Sequence, residues 1–254
     1  MASTAGTEGP EWSARAEGWA EQWGAFADPA REVLADVTGI GPGMRVLDVG
    51  CGSGELCALA AARGSEVAGI DAAEGMIEIA RRRVPGADLR VGPMEDLPWE
   101  DDRFDIATAV NALQFAADFV AALAEAARVV RPGGSVAVCN WGRMEHRELF
   151  AVMRALRDGP SAASSEIGEP GGLEKLARRA GLEPGRAGEI EVPYEPPDRE
   201  TLERAFLNDA AFVALRRLGE AETRRVIAQA AAPFRRRDGS YRFENRFRYL
   251  ITTV

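Results

Sequence analysis

The chain has 254 residues, of which 46% are apolar and 28% charged, a composition typical of a globular domain and not of a disordered chain. Acidic residues outnumber basic ones 40 to 31, so the net charge of −9 disfavours nucleic acid or an anionic membrane as a partner. No apolar run reaches the ~18–20 residues that cross a bilayer, and the first residues lack the pattern of a secretion signal. We therefore expect a cytoplasmic protein.

The cysteine and histidine content bears on disulfides and metals. Cys51, Cys57 and Cys139 are odd in number and show no paired spacing, which argues against a disulfide framework. A single histidine, His146, leaves too few imidazoles for a histidine-built metal site. We expect no metal in this protein.

An aromatic stripe marks the amino-terminal region. Residues 1–10 are predicted to be a disordered tail, and residues 11–36 one or two helices. Trp12, Trp19, Trp23 and Phe26 are spaced by 7, 4 and 3 residues, which places them along one side of a helix. The stripe fits two interpretations, packing on the body of the domain or an aromatic lid over a ligand.

Residues 45–141 alternate between short apolar segments and amphipathic ones, which predicts parallel strands joined by right-handed helical crossovers. Five strands are predicted, at residues 45–49, 66–71, 88–91, 104–110 and 135–141. The helices between them are predicted at residues 55–63, at 74–83, and after Asp118, whose side chain can cap the helix. The Arg-Pro-Gly-Gly sequence at 131–134 is expected to break that last helix sharply.

The second half of the chain is less regular. It is predicted to hold helices at residues 146–157 and 173–180, a mobile loop at 159–172, a strand at 189–194, a helical insertion at 199–234 and a final strand at 241–254. The apolar residues of the insertion line a ligand pocket or form the insertion's own core. They are Leu202, Phe206, Phe212, Leu215 and Leu218.

The clearest functional signal is the sequence Val-Leu-Asp-Val-Gly-Cys-Gly-Ser-Gly at 46–54, between the first predicted strand and helix. Glycines let a ligand approach the backbone, and helix amino-terminal amides face the same place. In an open α/β sheet this is the edge where ligands bind. A dinucleotide fingerprint needs glycine at position 55, but Glu55 stands there and would repel a pyrophosphate. The loop therefore favours a ligand without phosphates.

This loop resembles the first motif of class I S-adenosylmethionine (SAM)-dependent methyltransferases, nearest the ubiquinone/menaquinone-biosynthesis-like (methyltransferase type 11) small-molecule branch. The resemblance continues in order through residues 69–81, 91–115 and 127–141, so it covers residues 45–141. It implies one α/β domain at 11–254 with a Rossmann-like, seven-stranded, mostly parallel sheet and an antiparallel final strand. Helices 11–40 would form a lid, 45–141 the SAM-binding core, and 142–254 the acceptor side with its insertion.

The resemblance also implies SAM as cofactor and S-adenosylhomocysteine (SAH) as product. Asp71, 21 residues after Gly50, is expected to bind the ribose hydroxyls, with Met76 beside the adenine. Pro93 stands where the family often has an adenine-contacting acid, and the Met94 backbone and the Glu95 side chain are expected to compensate. The full expected set of cofactor-binding residues is Trp19, Gly50, Cys51, Gly52, Asp71, Ala72, Met76, Met94, Glu95 and Asn111, the last through its backbone at the methionine amine.

The implied activity is that of a methyltransferase (EC 2.1.1 type) that moves a methyl group by in-line displacement to O, N or C of a small, fairly apolar metabolite. Acceptor-side candidates follow the fourth and fifth predicted strands: Gln114, Phe115, Asn140, Trp141 and His146. His146 is a general base or a solvated residue, and Gln114 orients the acceptor or lies on a polar rim. The expected partner is a small-molecule acceptor, without nucleic acid or membrane, for a monomer or homodimer.

Three alternatives remain beside methyl transfer. One is a nicotinamide or flavin enzyme, although Glu55 disfavours the pyrophosphate of those cofactors. The same scaffold also suits an enzyme that binds SAM or SAH but catalyses a cyclisation, isomerisation or rearrangement. A non-catalytic partner subunit is disfavoured, because residues 46–55 keep an intact cofactor loop.

Overall fold

The computed structural model describes residues 9–156, 165–207 and 212–254. Its centre is a seven-stranded sheet. The strands are β1 Arg45–Val49, β2 Glu66–Asp71, β3 Asp88–Val91, β4 Phe104–Val110, β5 Val130–Trp141, β6 Glu183–Glu191 and β7 Arg246–Thr253. Their order is β3-β2-β1-β4-β5-β7-β6, with β1 to β5 parallel and β7 antiparallel to both of its neighbours. The predicted Rossmann-like, mostly parallel sheet with an antiparallel final strand is confirmed.

Helices cover both faces of this sheet. They are α1 Gly9–Ser13, α2 Ala16–Gln22, α3 Asp28–Thr38, α4 Glu55–Ala62, α5 Glu74–Arg83, α6 Phe119–Val129, α7 Phe150–Leu156, α8 Ser165–Gly168, α9 Gly172–Arg179, α10 Arg199–Leu207, α11 Phe212–Leu218 and α12 Glu220–Ala231. One face of the sheet packs on α6 and α9, and the opposite face on α3, α4, α5, α7 and the insertion helices. Alternate residues of β5 divide between these layers, as the pleat requires: Val136 and Val138 in one, Ala137 and Cys139 in the other.

The start of α6 follows from its cap. The Asp118 side chain accepts hydrogen bonds from the amides of Val120 and Ala121, which confirms the predicted cap. The predicted sharp end of α6 is confirmed, because the helix stops at Val129, just before the Arg-Pro-Gly-Gly sequence. The predicted start of the fifth strand at residue 135 is wrong, because β5 already begins at Val130 and passes through the Pro-Gly-Gly sequence. The β4–β5 register shifts there, and the Gly133 amide bonds to the Val254 carbonyl, so the segment is held as an irregular strand start.

The two strands at the far edge differ most from prediction. β6 lies at Glu183–Glu191, not at 189–194, and β7 starts at Arg246, five residues later than expected. Residues 241, 243 and 245 make only isolated bridges. β6 is an edge strand with mostly exposed side chains, so its sequence lacks the apolar alternation that would locate it.

Other boundaries also move. Helix α1 begins at Gly9, inside the segment predicted to be a tail, and residues 1–8 lie outside the described part of the chain. The helix predicted at 146–157 is a 3₁₀ turn, Met144–His146, followed by α7. Of the predicted loop at 159–172, residues 159–164 lie outside the described residues and 165–168 form α8.

The insertion consists of α10, α11 and α12, and its apolar residues mostly form core. Leu202 and Phe206 are fully buried, and Phe206 packs edge-on against Trp23 with ring centroids 5.5 Å apart. Leu215 and Leu218 pack against the same cluster, while the side chain of Phe212 lies outside the described residues. These contacts favour the core interpretation over a ligand pocket for Leu202 and Phe206.

Candidate functional site

The carboxyl edge of the sheet gathers the loops that follow β1, β2, β4 and β5. Parallel register pairs Val49 with Ile70 and Asp48 with Thr108, so these strands end side by side. In this fold class, ligands bind outside that edge. The predicted cofactor residues that follow β1, β2 and β4 are thereby brought together.

The loop after β1 is a tight glycine turn. Gly50, Gly52 and Gly54 have φ values of +71°, +53° and +84°, a backbone region that residues other than glycine rarely adopt. A Cβ on Gly50 would lie 2.4 Å from the Cβ of Ala112, in the loop after β4. The Gly50 and Cys51 amides both donate to the Ile70 carbonyl, at 2.8 and 2.9 Å. The loop is therefore held against its two neighbouring strand ends.

Asp71 ends β2 and faces the glycine loop. Its two carboxylate oxygens accept hydrogen bonds from the backbone amides of Gly52 and Ala73, both at 2.9 Å. Burial raises the pKa of this carboxyl, and the two amides act in the opposite direction. A half-buried carboxylate held in this way keeps lone pairs for vicinal hydroxyls, which fits the ribose role that the resemblance implies.

Glu55 occupies the position where a dinucleotide loop has its third glycine. Its carboxylate accepts from the Ser53 hydroxyl at 2.5 Å and pairs with Arg83 of α5, and it lies 3.9 Å from the Arg31 guanidinium. Through these contacts the Glu55 carboxylate links Ser53 of the glycine loop to Arg83 of α5 and so stabilises the loop. Its negative charge at this helix start would also repel a pyrophosphate.

Asp48 is a buried acid within β1, two residues before the loop. It accepts a 2.9 Å hydrogen bond from the Thr108 hydroxyl. Burial raises its pKa to about 7, although this hydrogen bond and the charge of Arg31 oppose the shift. The folded protein therefore holds a proton here that the unfolded chain releases near pH 4.

Because this pKa is raised in the folded state, stability is expected to fall as the pH rises from about 4 to 7. Asp48→Asn keeps the acceptor oxygen but cannot ionise. Between pH 5.5 and 8 the wild type should lose about 2 kcal/mol of unfolding free energy relative to this variant. Urea unfolding at both pH values measures the difference, with exposed Asp96→Asn as control. Parallel pH curves for wild type and Asp48→Asn would contradict the assignment.

The amino-terminal helices close over the loop. A Cβ on Gly52 would lie 3.7 Å from the Trp19 ring, and Trp12 packs edge-on against Trp19 and against Phe115. Helix α1 packs on the loop after β2 and on the first turn of α5, where the backbone amide of Gly75 donates to the Ser13 hydroxyl. The backbone there is tightly packed, since a Cβ on Gly9 would lie 2.4 Å from the Ala72 carbonyl oxygen.

The aromatic stripe therefore divides in two. Trp19 lies over the glycine loop, Trp12 packs on Trp19, and buried Met76 packs with both. Trp23 and Phe26 instead pack in the body of the domain, against Phe206 and Trp141. Packing on the body of the domain is confirmed for Trp23 and Phe26, while the lid interpretation stays a prediction for Trp12 and Trp19.

The segment after β3 supports the site from the side. Met94 is buried, and its methyl carbon would lie 3.8 Å from a Cβ on Gly50. A Glu95 carboxylate oxygen accepts from the Ala117 amide at 2.7 Å, which ties this segment to the loop after β4. That oxygen is thus engaged in a contact within the protein.

A row of amides crosses the ends of β4 and β5. Asn111 has φ +53°, and its backbone N–H donates to the Cys139 carbonyl at 2.6 Å. The Gln114 side-chain nitrogen donates to the carbonyl of Asn111 and to its side-chain oxygen, at 2.9 and 2.8 Å. The Asn140 side chain then donates to Gln114. Gln114 therefore hydrogen-bonds to the backbone of Asn111, which the resemblance places at the methionine amine.

His146 lies apart from the glycine loop, in a polar groove of about 140 Å³ at the ends of β5 and β6. Glu148, Glu191 and Arg246 also line this groove, and the His146 Nε2 atom is 4.0 Å from a Glu145 carboxylate oxygen. None of the residues lining the groove belongs to the predicted cofactor set.

Sequence reasoning did not foresee the supporting residues Asp48, Arg31 and Arg83. An acid inside a strand that is otherwise apolar was the available signal for Asp48. Within residues 9–156, 165–207 and 212–254, no group of three or more His, Cys, Asp or Glu is placed to hold a metal ion. In the same ranges, no helix is long and apolar enough to span a bilayer.

These features define a class I methyltransferase fold with a glycine loop and the carboxylate of Asp71 side by side at its ligand edge. A family model described as a methyltransferase domain matches residues 47–138. A ubiquinone biosynthesis O-methyltransferase of Bordetella bronchiseptica is 35% identical over 174 residues, covering 64% of this chain and 71% of that protein. The chain therefore belongs to this family of SAM-dependent methyltransferases.

Two further similarities concern a longer relative and a solved structure. An uncharacterised Mycobacterium bovis protein is 35% identical over 144 residues, covering 53% of this chain and 51% of its own length, so the chain spans about half of that relative. Among solved structures, the [4+2]-cyclase SpnF superposes with a TM-score of 0.58 at 21% identity, covering 89% of this chain and 81% of that one. At that identity the match concerns the fold alone.

Proposed function

We propose that this protein transfers the methyl group of SAM to an oxygen, nitrogen or carbon atom of a small, fairly apolar metabolite. The observation that carries the proposal is the pairing of the Gly52 amide with the Asp71 carboxylate beneath Trp19. This arrangement offers a backbone cradle, a carboxylate for ribose hydroxyls and an aromatic cover. With Glu55 braced by Arg83, it suits a nucleoside that carries no phosphate.

SAM, when bound, supplies a methyl group already activated on a sulfonium. The residues of the chain then need mainly to align the acceptor and exclude water. Trp12, Trp19 and Phe115 form the cover that would exclude water. Asn111 and Gln114 follow β4, at the edge where the acceptor would meet the methyl group. The other predicted cofactor residues, including Ala72, Met76, Met94 and Glu95, are proposed on the same grounds.

Titration calorimetry with SAM and SAH, with NADH as control, tests the cofactor assignment. Selective micromolar binding of the adenosyl ligands is the expected result, and SAH release would then identify the acceptor. Binding of NADH in preference to SAM would contradict the proposal. If adenosyl binding is absent, Pro93→Asp tests for a damaged adenine site, because it restores the acid that the family often has there.

A non-methylating enzyme remains the second candidate, because a [4+2]-cyclase has the same fold. The discriminating measurement is SAH accumulation during turnover. Methyl transfer produces one SAH for each product molecule, whereas a cyclisation or rearrangement leaves bound SAM or SAH unconsumed.

His146 provides a specific test of proton transfer. If it is the general base, His146→Ala should lower kcat by about 10²–10⁴-fold and remove a limb of the kcat-versus-pH profile. The measurement uses whichever acceptor the SAH screen identifies, at pH 5 to 9. An unchanged profile would mean that His146 is a solvated residue of its groove.

We further propose a small-molecule acceptor and neither a nucleic acid nor a membrane partner, on the basis of the net charge of −9. A cytoplasmic location and a monomeric or homodimeric state stay predictions. Size-exclusion chromatography with light scattering measures the oligomeric state.

A further inference from the structure

One polar atom beside the proposed acceptor site has no partner. Asn140 is fully buried near the end of β5, and its side-chain nitrogen donates to Gln114. Its side-chain oxygen, Oδ1, is also buried and makes no hydrogen bond with any part of the chain that the structure describes. Buried carbonyl oxygens in proteins are normally paired, because losing water without a replacement costs free energy.

The surroundings do not explain this oxygen as a structural feature. The residues that precede Asn140 on the same face of β5, Val136 and Val138, are buried and apolar. A leucine, whose side chain has the same branched shape, would continue that apolar face without an unpaired oxygen. The polar side chain therefore serves something other than the packing of this layer.

The three neighbouring side-chain amides show where the Asn140 oxygen lies and what kind of group could bond to it. The row of amides runs from Asn111 through Gln114 to Asn140, so it connects the end of β4 with that of β5 at the ligand edge. All three side chains are neutral, and the row ends in an acceptor atom. The group that completes it must be a hydrogen-bond donor, and a neutral one matches a neutral row better than an ammonium does.

We propose that Asn140 Oδ1 accepts a hydrogen bond from a neutral O–H or N–H group of the methyl acceptor, which makes Asn140 a specificity-determining residue. This inference rests on the proposed function. Gln114, which contacts the Asn140 side-chain nitrogen, is half-buried and has a long side chain, so its rotamer can change without a backbone movement when an acceptor approaches Asn140. An amide cannot take up the proton at neutral pH, so Asn140 orients the acceptor and does not act as a base.

The test uses phenol and fluorobenzene, which are similar in size while only phenol donates a hydrogen bond. Both are titrated into SAH-saturated protein and followed by saturation-transfer NMR. Wild type should bind phenol at least tenfold more tightly than fluorobenzene, and Asn140→Leu should bring the ratio near one. Thr252→Val is the matched control, because it removes a buried hydroxyl of the neighbouring strand that already bonds to the Val136 carbonyl. It should keep the preference.

A crystal structure of wild type with SAH and phenol covers the case in which Asn140→Leu fails to fold. The phenol oxygen should lie within hydrogen-bond distance of Asn140 Oδ1. Equal binding of the two probes, a preference that survives Asn140→Leu, absence of phenol binding or phenol bound elsewhere would each overturn the inference. Failure of SAH to bind would instead contradict the proposed function itself, so the two failures are distinguishable.

Discussion

Replacing Asp71 with alanine is expected to weaken SAM binding by roughly 1–3 kcal/mol, or about five- to 150-fold in Kd. The change removes an acceptor of two backbone amide hydrogen bonds, from Gly52 and Ala73, together with the proposed bonds to the ribose hydroxyls. The Gly52 amide would lose the partner that sets its direction. Titration calorimetry with SAM and SAH measures the effect.

Glu74→Ala is the control for this result. Glu74 is an exposed acid three residues further along, in the first turn of α5, so its loss changes the net charge equally without touching the Asp71 hydrogen bonds. SAM affinity should change little in this variant. Equal Kd values for wild type and Asp71→Ala would refute the ribose assignment.

Gly50→Ala is expected to destabilise the protein by about 2–5 kcal/mol and to raise the Kd for SAM at least tenfold. Two effects add: alanine at φ +71° costs about 1–2 kcal/mol, and overpacking typically costs about 1–3 kcal/mol. The overlap arises because the added carbon would meet the Ala112 side chain at 2.4 Å. Relief of that contact would push the glycine loop away from the end of β4.

Gly39→Ala separates the two effects. Gly39 has nearly the same φ, +75°, but a Cβ there would meet nothing within 4 Å. It should cost only the backbone share, about 1–2 kcal/mol in urea unfolding, and leave SAM binding unchanged. Similar losses of unfolding free energy in both variants would mean that the overlap with Ala112 does not contribute to the destabilisation by Gly50→Ala.

The central strands were the most predictable part of the fold. The predicted limits of the central strands β1, β2 and β4 agree with those observed, including Phe104–Val110, and so do those of the short edge strand β3. Central parallel strands are buried on both faces, so they appear in the sequence as short apolar runs bounded by polar and glycine residues. The edge strand β6 and the start of β7 were misplaced, because exposed edges do not require such runs.

The candidate site likewise has one part that the sequence located and another that it did not. The glycine loop and Asp71 were found from the sequence, because a backbone that must adopt positive φ and a carboxylate at a strand end leave local signatures. The aromatic stripe did not reveal its own division. Helix α2 ends at Gln22, and the 3₁₀ turn Gly24–Ala27 redirects the chain, so Trp23 is buried in the body of the domain, while Trp19 packs on the edge of that cluster and also reaches Gly52 of the glycine loop.

The sequence by itself therefore determined the strands β1 to β4, the glycine loop and the family, since each depends on residues that are close along the chain. Only the tertiary structure decided that Arg83 braces Glu55, that burial raises the pKa of Asp48 to about 7 and that Asn140 joins Gln114. Hydrogen bonds and burial depend on neighbours in space, and the Asn140 and Gln114 partners are 26 residues apart. No local pattern encodes such a pair, because either residue alone would suit a solvated loop.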